Sequence, residues 1–252
     1  MRALVTRLLI VTAASFLLAT PAFAQSANDL LTKNLAARGG AEKLAAIHSL
    51  RLNGKLVFGG NFELAYEEVR VRKNDAVRIN ASIQGLTLVQ AYDGKVGWRI
   101  NPFEGRRDAE RMSADETSAL ADDGSIEGVL LGAQAKGAPI TYIGREDFDG
   151  TDAYKLRVSL PNGSEYMYYL DPDTYLEIKV VETRLLRGAR QVTVSELGDY
   201  ELVDGVYFPF EIESGPPGSD PSQRQKTTIE SAQANPVVSA ATFAMPAAPG
   251  AK

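Results

Sequence analysis

From Ser49 onward the apolar residues of this chain recur at every second position, the spacing that puts alternate side chains on opposite faces of a β-strand. Leu50, Leu52, Leu56 and Phe58 alternate with Arg51, Asn53, Lys55 and Val57, and Phe62, Leu64 and Tyr66 alternate with Glu63, Ala65 and Glu67. The apolar frame then slips to Val69 and Val71, which predicts a β-bulge near Glu67 and Glu68. Val77, Ile79, Ala81 and Ile83 resume the alternation, Leu86 and Leu88 lead to Tyr92, and Val96, Trp98 and Ile100 follow. Later come Tyr154, Leu156 and Val158; Tyr166, Tyr168 and Leu170; Leu176, Ile178 and Val180; Val192 and Val194; Val206, Phe208, Phe210 and Ile212; and a last strand over 226–231. Asp93-Gly94, Asp149-Gly150, Asn162-Gly163 and Asp204-Gly205 are hairpin dipeptides, and Asp171-Pro172-Asp173 is a further turn. The pattern predicts about eleven strands.

Helical spacing is confined to short stretches. Asp29 can cap a first helix with Leu31 and Leu35 on one face, Arg38-Gly39-Gly40 ends it, and residues 41–47 read as a second. Alternation is lost again over residues 112–131. There Ser113 and Glu116 fit a capping box, Asp122-Asp123-Gly124 stops the helix, and a second helical piece runs over residues 126–131.

These elements predict a mainly β (α+β) fold: a strongly curved antiparallel sheet, forming an incomplete barrel with a short-helix lid. One domain over residues 25–245 would be followed by a disordered tail at 246–252, rich in Ala, Pro and Gly. The apolar face must be covered. It can close into a solid core, or the few helices can leave an apolar cavity beneath them. Candidate cavity residues are Leu52, Leu56, Phe58, Phe62, Leu64, Tyr66, Val77, Ile79, Leu86, Leu88, Trp98, Leu120, Tyr154, Leu156, Tyr166, Tyr168, Leu176, Ile178, Phe208 and Phe210.

The first 24 residues stand apart. Arg2 and Arg7 precede an apolar run over residues 8–18, and Ala22-Phe23-Ala24 is a small-x-small cleavage pattern. That is the layout of a secretory signal, cut between Ala24 and Gln25. The run is about half the roughly 20 apolar residues of a membrane span, and no later stretch is long enough, so no membrane span is expected in the mature chain. Its 228 residues would carry a net charge of −7, against −5 for the whole chain. Such an acidic balance argues against nucleic acid as a partner. With no Cys anywhere, there is no lipidation site at the cut, and a soluble periplasmic protein without disulfides is expected.

Catalytic signatures are absent. His48 is the only histidine, so the usual zinc sets and a Ser–His–Asp triad lack their parts. No phosphate-binding or nucleophile-elbow motif occurs. The acidic groups Glu67-Glu68, Asp122-Asp123 and Glu146 with Asp147 and Asp149 are candidate carboxylate pairs for a hydrolase, and Asp171 with Asp173 a candidate oxygen-only calcium site. Each reads more simply as a solvated turn or face. Arg106, Arg107 and Arg111 could meet a lipid headgroup or an acidic partner, or form a solvated strand edge. A binding protein without cofactor or metal is expected, not an enzyme.

Four stretches resemble the LolA-like superfamily of outer-membrane lipoprotein carriers and sorting proteins, in a longer, uncharacterised branch. They are residues 35–44 with Ile47, residues 91–98 with Asn101-Pro102, residues 200–209, and Phe243. The resemblance implies an incomplete barrel, a helical lid and a cavity for lipid or lipoprotein acyl chains, carried across the periplasm. An envelope regulatory or scaffold module binding protein partners is the alternative it leaves open. No position here aligns with the cavity arginine of the lipoprotein carriers, and the chain is longer than theirs.

Overall fold

The computed structural model describes residues 25–59 and 62–247. Residues 1–24, where a secretory signal is expected, and residues 248–252 of the tail lie outside them. The strands are β1 (Ser49–Phe58), β2 (Phe62–Val71), β3 (Ala76–Ile83), β4 (Leu86–Tyr92), β5 (Gly97–Asn101), β6 (Arg106–Arg111), β7 (Ile140–Phe148), β8 (Thr151–Ser159), β9 (Glu165–Leu170), β10 (Glu177–Leu186), β11 (Ala189–Val203), β12 (Val206–Gly215) and β13 (Gln225–Ala234). The helices are α1 (Ala27–Ala37), α2 (Ala41–Ala46), α3 (Ala114–Asp123) and α4 (Gly128–Ala135). No helix among the described residues is long and apolar enough to cross a membrane.

The 13 strands among the described residues form one antiparallel sheet in the order β6-β5-β4-β3-β2-β1-β13-β12-β11-β10-β9-β8-β7. The chain steps outward from β1 to β6, jumps to the far edge, and steps back from β7 until β13 pairs with β1. The jump carries α3 and α4. Connecting the two edges of an open sheet, it has to cross a face, and α3 accordingly packs on β3, β4, β5 and β10. Because β6 and β7 do not pair, the barrel stays open.

The two strands beyond the expected eleven are those two edges. Arg106–Arg111 has no apolar alternation to detect, and β7 loses its frame at a register shift between Tyr142 and Gly144. Charges on edge strands discourage pairing with other chains. Two of the four hairpin dipeptides, Asp204 and Gly205 (φ 49° and 81°) and Asp149 and Gly150 (φ 51° and 81°), are left-handed pairs, while at Asp93-Gly94 and Asn162-Gly163 only the glycine is left-handed, within longer loops. Gln84-Gly85 and Arg187-Gly188 are also left-handed pairs, without the usual Asn or Asp.

The predicted bulge near Glu67 is not there. β2 pairs with β1 without interruption from Ser49 opposite Val71 to Phe58 opposite Phe62. The irregularity lies instead where Asn53 and Gly54 of β1 meet β13. Keeping frame puts Glu68 and Arg70 on the concave face with Leu64 and Tyr66, while Val69 and Val71 face outward. Those valines are still apolar because the chain's last segment covers them: Val69 is buried with Ala76 and Phe243, beside Val71 and Val238. Trp98 lies on this same outer face, fully buried, and its Nε1 donates to the Phe243 carbonyl at 2.8 Å. Arg78 Nη1 donates to the Thr242 carbonyl at 2.9 Å and Ser49 Oγ to that of Pro236 at 2.7 Å.

At the other end, α1 is capped by Ser26, with Asp29 completing the capping box from the third helical position rather than capping the helix itself. Arg38 closes α1, and its Nε donates to the Tyr207 carbonyl (2.9 Å) while Tyr207 N donates to the Arg38 carbonyl (2.9 Å). At Gly39 (φ 119°) a Cβ would come 2.2 Å from the Gly205 carbonyl oxygen, so this approach admits only glycine. The principal apolar cluster forms where α1, α2 and α4 meet the concave face, around Leu30, Leu31, Ile47, Leu50, Ile126, Leu130, Leu156 and Val206.

Candidate functional site

The lid is short, and its position is set by side chains at both ends. Ser113 caps α3 in the expected box with Glu116. Glu116 Oε1 lies 3.0 Å from Arg99 Nη1 of β5 and 2.5 Å from Nη2 of Arg187 in the β10–β11 turn, so one carboxylate ties the two halves of the sheet together through α3. Burial works against its charge, but hydrogen bonds from the Ser113 backbone and hydroxyl and from Arg187, with Arg99 close by, hold Glu116 down at about 2. Gly97 allows α3 to seat: a Cβ there would be 2.6 Å from Thr117 Oγ1. Asn162 Nδ2, from the β8–β9 turn, donates to Ser118 Oγ (2.8 Å) and to Asp122 Oδ2 (2.9 Å).

The elbow between α3 and α4 is held by four arginines. Arg70 Nη1 donates to the Ser125 carbonyl (3.1 Å) and Arg38 Nη1 to that of Glu127 (3.2 Å). Arg72 forms an ion pair with the Glu127 carboxylate, and Arg184 Nη2 lies 2.7 Å from Asp123 Oδ1. These side chains come from the end of α1, from β2 and its C-terminal end, and from β10. α3 is thus tied to the sheet by polar contacts at its start and at the elbow, while α4 also enters the principal apolar cluster with Leu130, Leu131 and Ala133.

Between this lid and the concave face lies a cavity of about 430 Å³. Of the residues expected to line it, Leu52, Ile79, Tyr166, Tyr168 and Phe208 do. Leu56, Leu64, Tyr66 and Leu88 share the concave face but pack in a separate cluster nearer the open end. Phe58, Phe62 and Leu86 lie at that end with 39, 47 and 36 % of their surface exposed. Phe58 also borders a more open depression that shares the lining residues Thr193, Ser214 and Gln225 with the cavity. Val77, Leu120, Leu156 and Phe210 are buried, and Tyr154 stacks on Tyr175 with ring centroids 5.8 Å apart. Leu176 is half-buried just before β10. Trp98 and Ile178 are placed away from the cavity: Trp98 under the C-terminal segment, Ile178 at the β9–β10 register shift beside an outer-face groove.

The sequence reading missed the polar part of the lining. Glu68, only 4 % exposed, accepts from Tyr66 Oη (2.7 Å) and Arg70 Nε (2.6 Å). Glu177 lies 3.5 Å from Arg38 Nη1 and accepts from Tyr200 Oη (3.2 Å). Burial pushes the Tyr66, Tyr168 and Tyr200 phenols well above their ordinary range, so they stay neutral hydrogen-bonding groups. Burial also raises the Asp122 carboxyl, against the hydrogen bond from Asn162 and the charge of Arg184. Inward polar positions of an otherwise apolar strand were the available signal, and at Glu68 and Arg70 they were read as a change of frame.

Three of the carboxylates considered for catalysis are engaged with neighbouring side chains. Glu68 is matched by Arg70, Asp123 by Arg184, and Glu146 by Lys155 and Tyr169. Asp171 Oδ1 accepts from Asp173 N and Thr174 N, the bonding of a plain turn. His48 is exposed. Among the described residues no group of three or more His, Cys, Asp or Glu is placed to hold a metal ion. Arg106 pairs with Glu110 along edge strand β6.

No protein-family model matches the chain, and no curated protein matches it. Solved structures do. A LolA superfamily protein from Nitrosomonas europaea superposes with a TM-score of 0.59 at 11 % identity, over 88 % of this chain and 98 % of that one. This chain has the LolA-like fold. A DUF1329 family protein from Desulfovibrio piger shares the LolA-like fold at a TM-score of 0.58 and 11 % identity, over 86 % of this chain and 96 % of its own. A Vibrio parahaemolyticus domain named for outer membrane lipoprotein sorting shares it at 0.53 and 11 %, over 84 % and 97 %.

Proposed function

We propose that this protein binds and carries the acyl chains of lipids or lipoproteins in the space between its concave sheet and the α3–α4 lid. The supporting observation is the cavity of about 430 Å³ where a filled core would otherwise stand. That volume falls within the range of about 300–1,000 Å³ usual for small-molecule sites. Each methylene buried there is worth about 0.8 kcal/mol, so a chain of about a dozen carbons gains on the order of 10 kcal/mol before the entropy of binding is subtracted. α3, held to the sheet through Glu116, Asp122 and Asp123, can part from it without tearing open the principal core, to which α4 contributes Leu130 and Leu131. The LolA-like fold supports the reading, since one protein that shares it is named for lipoprotein sorting. The role is non-catalytic and needs no cofactor.

The reading includes export. Protein recovered from the periplasm should begin at Gln25, and recovery from the cytosol with residues 1–24 still attached would contradict it. Native mass spectrometry of protein purified from its own host should show co-purifying lipid, removed by the cavity-filling change Leu52→Trp. Ligand-free protein that also fails to take up a fluorescent alkyl probe would sink the proposal.

A second reading, an envelope module that binds a protein partner, draws on the exposed rim of Phe58, Phe62 and Leu86. It expects a partner in pull-downs that survives Leu52→Trp and is lost with Phe58→Ser and Phe62→Ser.

A further inference from the structure

The charges around the cavity do not balance. Five carboxylates line it, those of Glu68, Asp122, Asp123, Glu177 and Glu182, against the guanidiniums of Arg38 and Arg70. Arg184 is a third cation at the wall, ion-paired with both Asp123 and Glu182. Every one of these arginines is already matched: Arg70 to Glu68, Arg38 to Glu177, Arg184 to its two acids. Of the phenols at or beside the wall, Tyr66 donates to Glu68 and Tyr200 to Glu177, Tyr166 accepts from Arg184, and Tyr168 lines the cavity as a neutral hydroxyl. Asp122 is left over. It accepts from Asn162 and has no ion pair among the described residues.

Resting on the reading of the cavity as an amphiphile site, we propose that it selects cationic, amine-bearing head groups and rejects anionic ones. A carboxylate or phosphate entering under the elbow meets no uncommitted cation among the described residues. To be paired at Arg70 or Arg38 it must displace Glu68 or Glu177, whose side chains are only 5 and 7 % exposed and would then be buried alone. An ammonium group needs no such exchange, because Asp122 and the doubly shared Glu182 and Asp123 supply acceptors and compensating charge. A neutral glycerol ester falls between the two.

The test uses three probes of equal chain length, dodecylammonium, monododecanoylglycerol and dodecanoate, each displacing a neutral fluorescent alkyl reporter from the purified protein near neutral pH. The expected order of affinity is amine, ester, carboxylate, with amine and carboxylate at least about tenfold apart. Asp122→Asn and Glu182→Gln, each tested separately in protein that still binds the neutral reporter, should narrow that gap severalfold while leaving the ester unchanged. Dodecanoate binding as tightly as the amine, or an unaltered gap in both variants, overturns the charge selection and leaves the cavity reading standing. Failure of all three probes and the reporter to bind overturns both.

Discussion

Glu68 and Arg70 show at the scale of single residues how charge can be built into an apolar wall. Both sit at inward positions of β2, and Arg70 joins the sheet to the lid through the Ser125 carbonyl. Removing one partner of such a pair leaves an uncompensated buried charge, at a cost of about 3 kcal/mol, whereas replacing both with apolar side chains of similar size is often neutral. Arg70→Met should therefore lower unfolding free energy by about that amount in urea, and Glu68→Met/Arg70→Met should recover most of it. Equal loss in the single and double variants would show that the pair itself, rather than the orphaned charge, sets the stability. These residues also mark where the sequence misled. Alternation tells which side chains share a face; it does not tell which face is inside when a covering segment makes the outer one apolar as well. Val69, Val71 and Trp98 are apolar because residues near Phe243 lie over them, 145 to 174 positions away in the chain.

Single elements carry the next two expectations. The C-terminal segment is fastened to the outer face by Phe243, so Phe243→Ala should cost about 3 kcal/mol through the cavity it leaves. Trp98 is the only tryptophan, and its emission should shift to the red in that variant while uptake of an alkyl probe on the opposite face is unchanged. Loss of uptake would mean that the two faces are coupled. The second expectation concerns α3. Glu116 sits near 2 in the folded protein, below its ordinary 4.5, so its ion pairs with Arg99 and Arg187 stabilise the folded lid fully above about 4.5. That contribution fades as pH falls toward 2, as the carboxylate takes up a proton. The protection of α3 amides against hydrogen exchange, taken relative to their intrinsic rates at each pH, should fall over that interval in the native protein and change little in Glu116→Gln; identical profiles would contradict the assignment. Elements with a local signal were legible from sequence, including the Ser113 cap and the Asp-Gly hairpins. The edge strands β6 and β7 were not, because edges that must repel other chains carry charge where the pattern looks for apolar residues.

For the whole molecule the topology dictates the site. A sheet that begins at its centre, runs to one edge and restarts at the other has to throw a connection across its face, and here that connection is the lid. The curved sheet and its helical cover were legible in the alternation. The charged half of the cavity was not, because it is assembled from α1, β2, α3 and β10 by contacts no local spacing records. If the lid moves for cargo to pass, joining it to the sheet should trap the contents. In a chain without cysteine, the double change Ser118→Cys/Asn162→Cys links two side chains that touch at 2.8 Å. The oxidised form should neither take up nor release an alkyl probe, and reduction should restore both; exchange at the native rate when oxidised would locate the entrance elsewhere.

The most direct measurement is anomalous scattering from a crystal of the protein soaked with the glycerol monoester of a terminally brominated dodecanoic acid. The bromine is expected between the concave sheet and α3–α4, within contact of Leu52, Tyr168 or Ile229. Bromine found only on the outer face, or none in a cavity that the same map shows packed with side chains, would contradict the account.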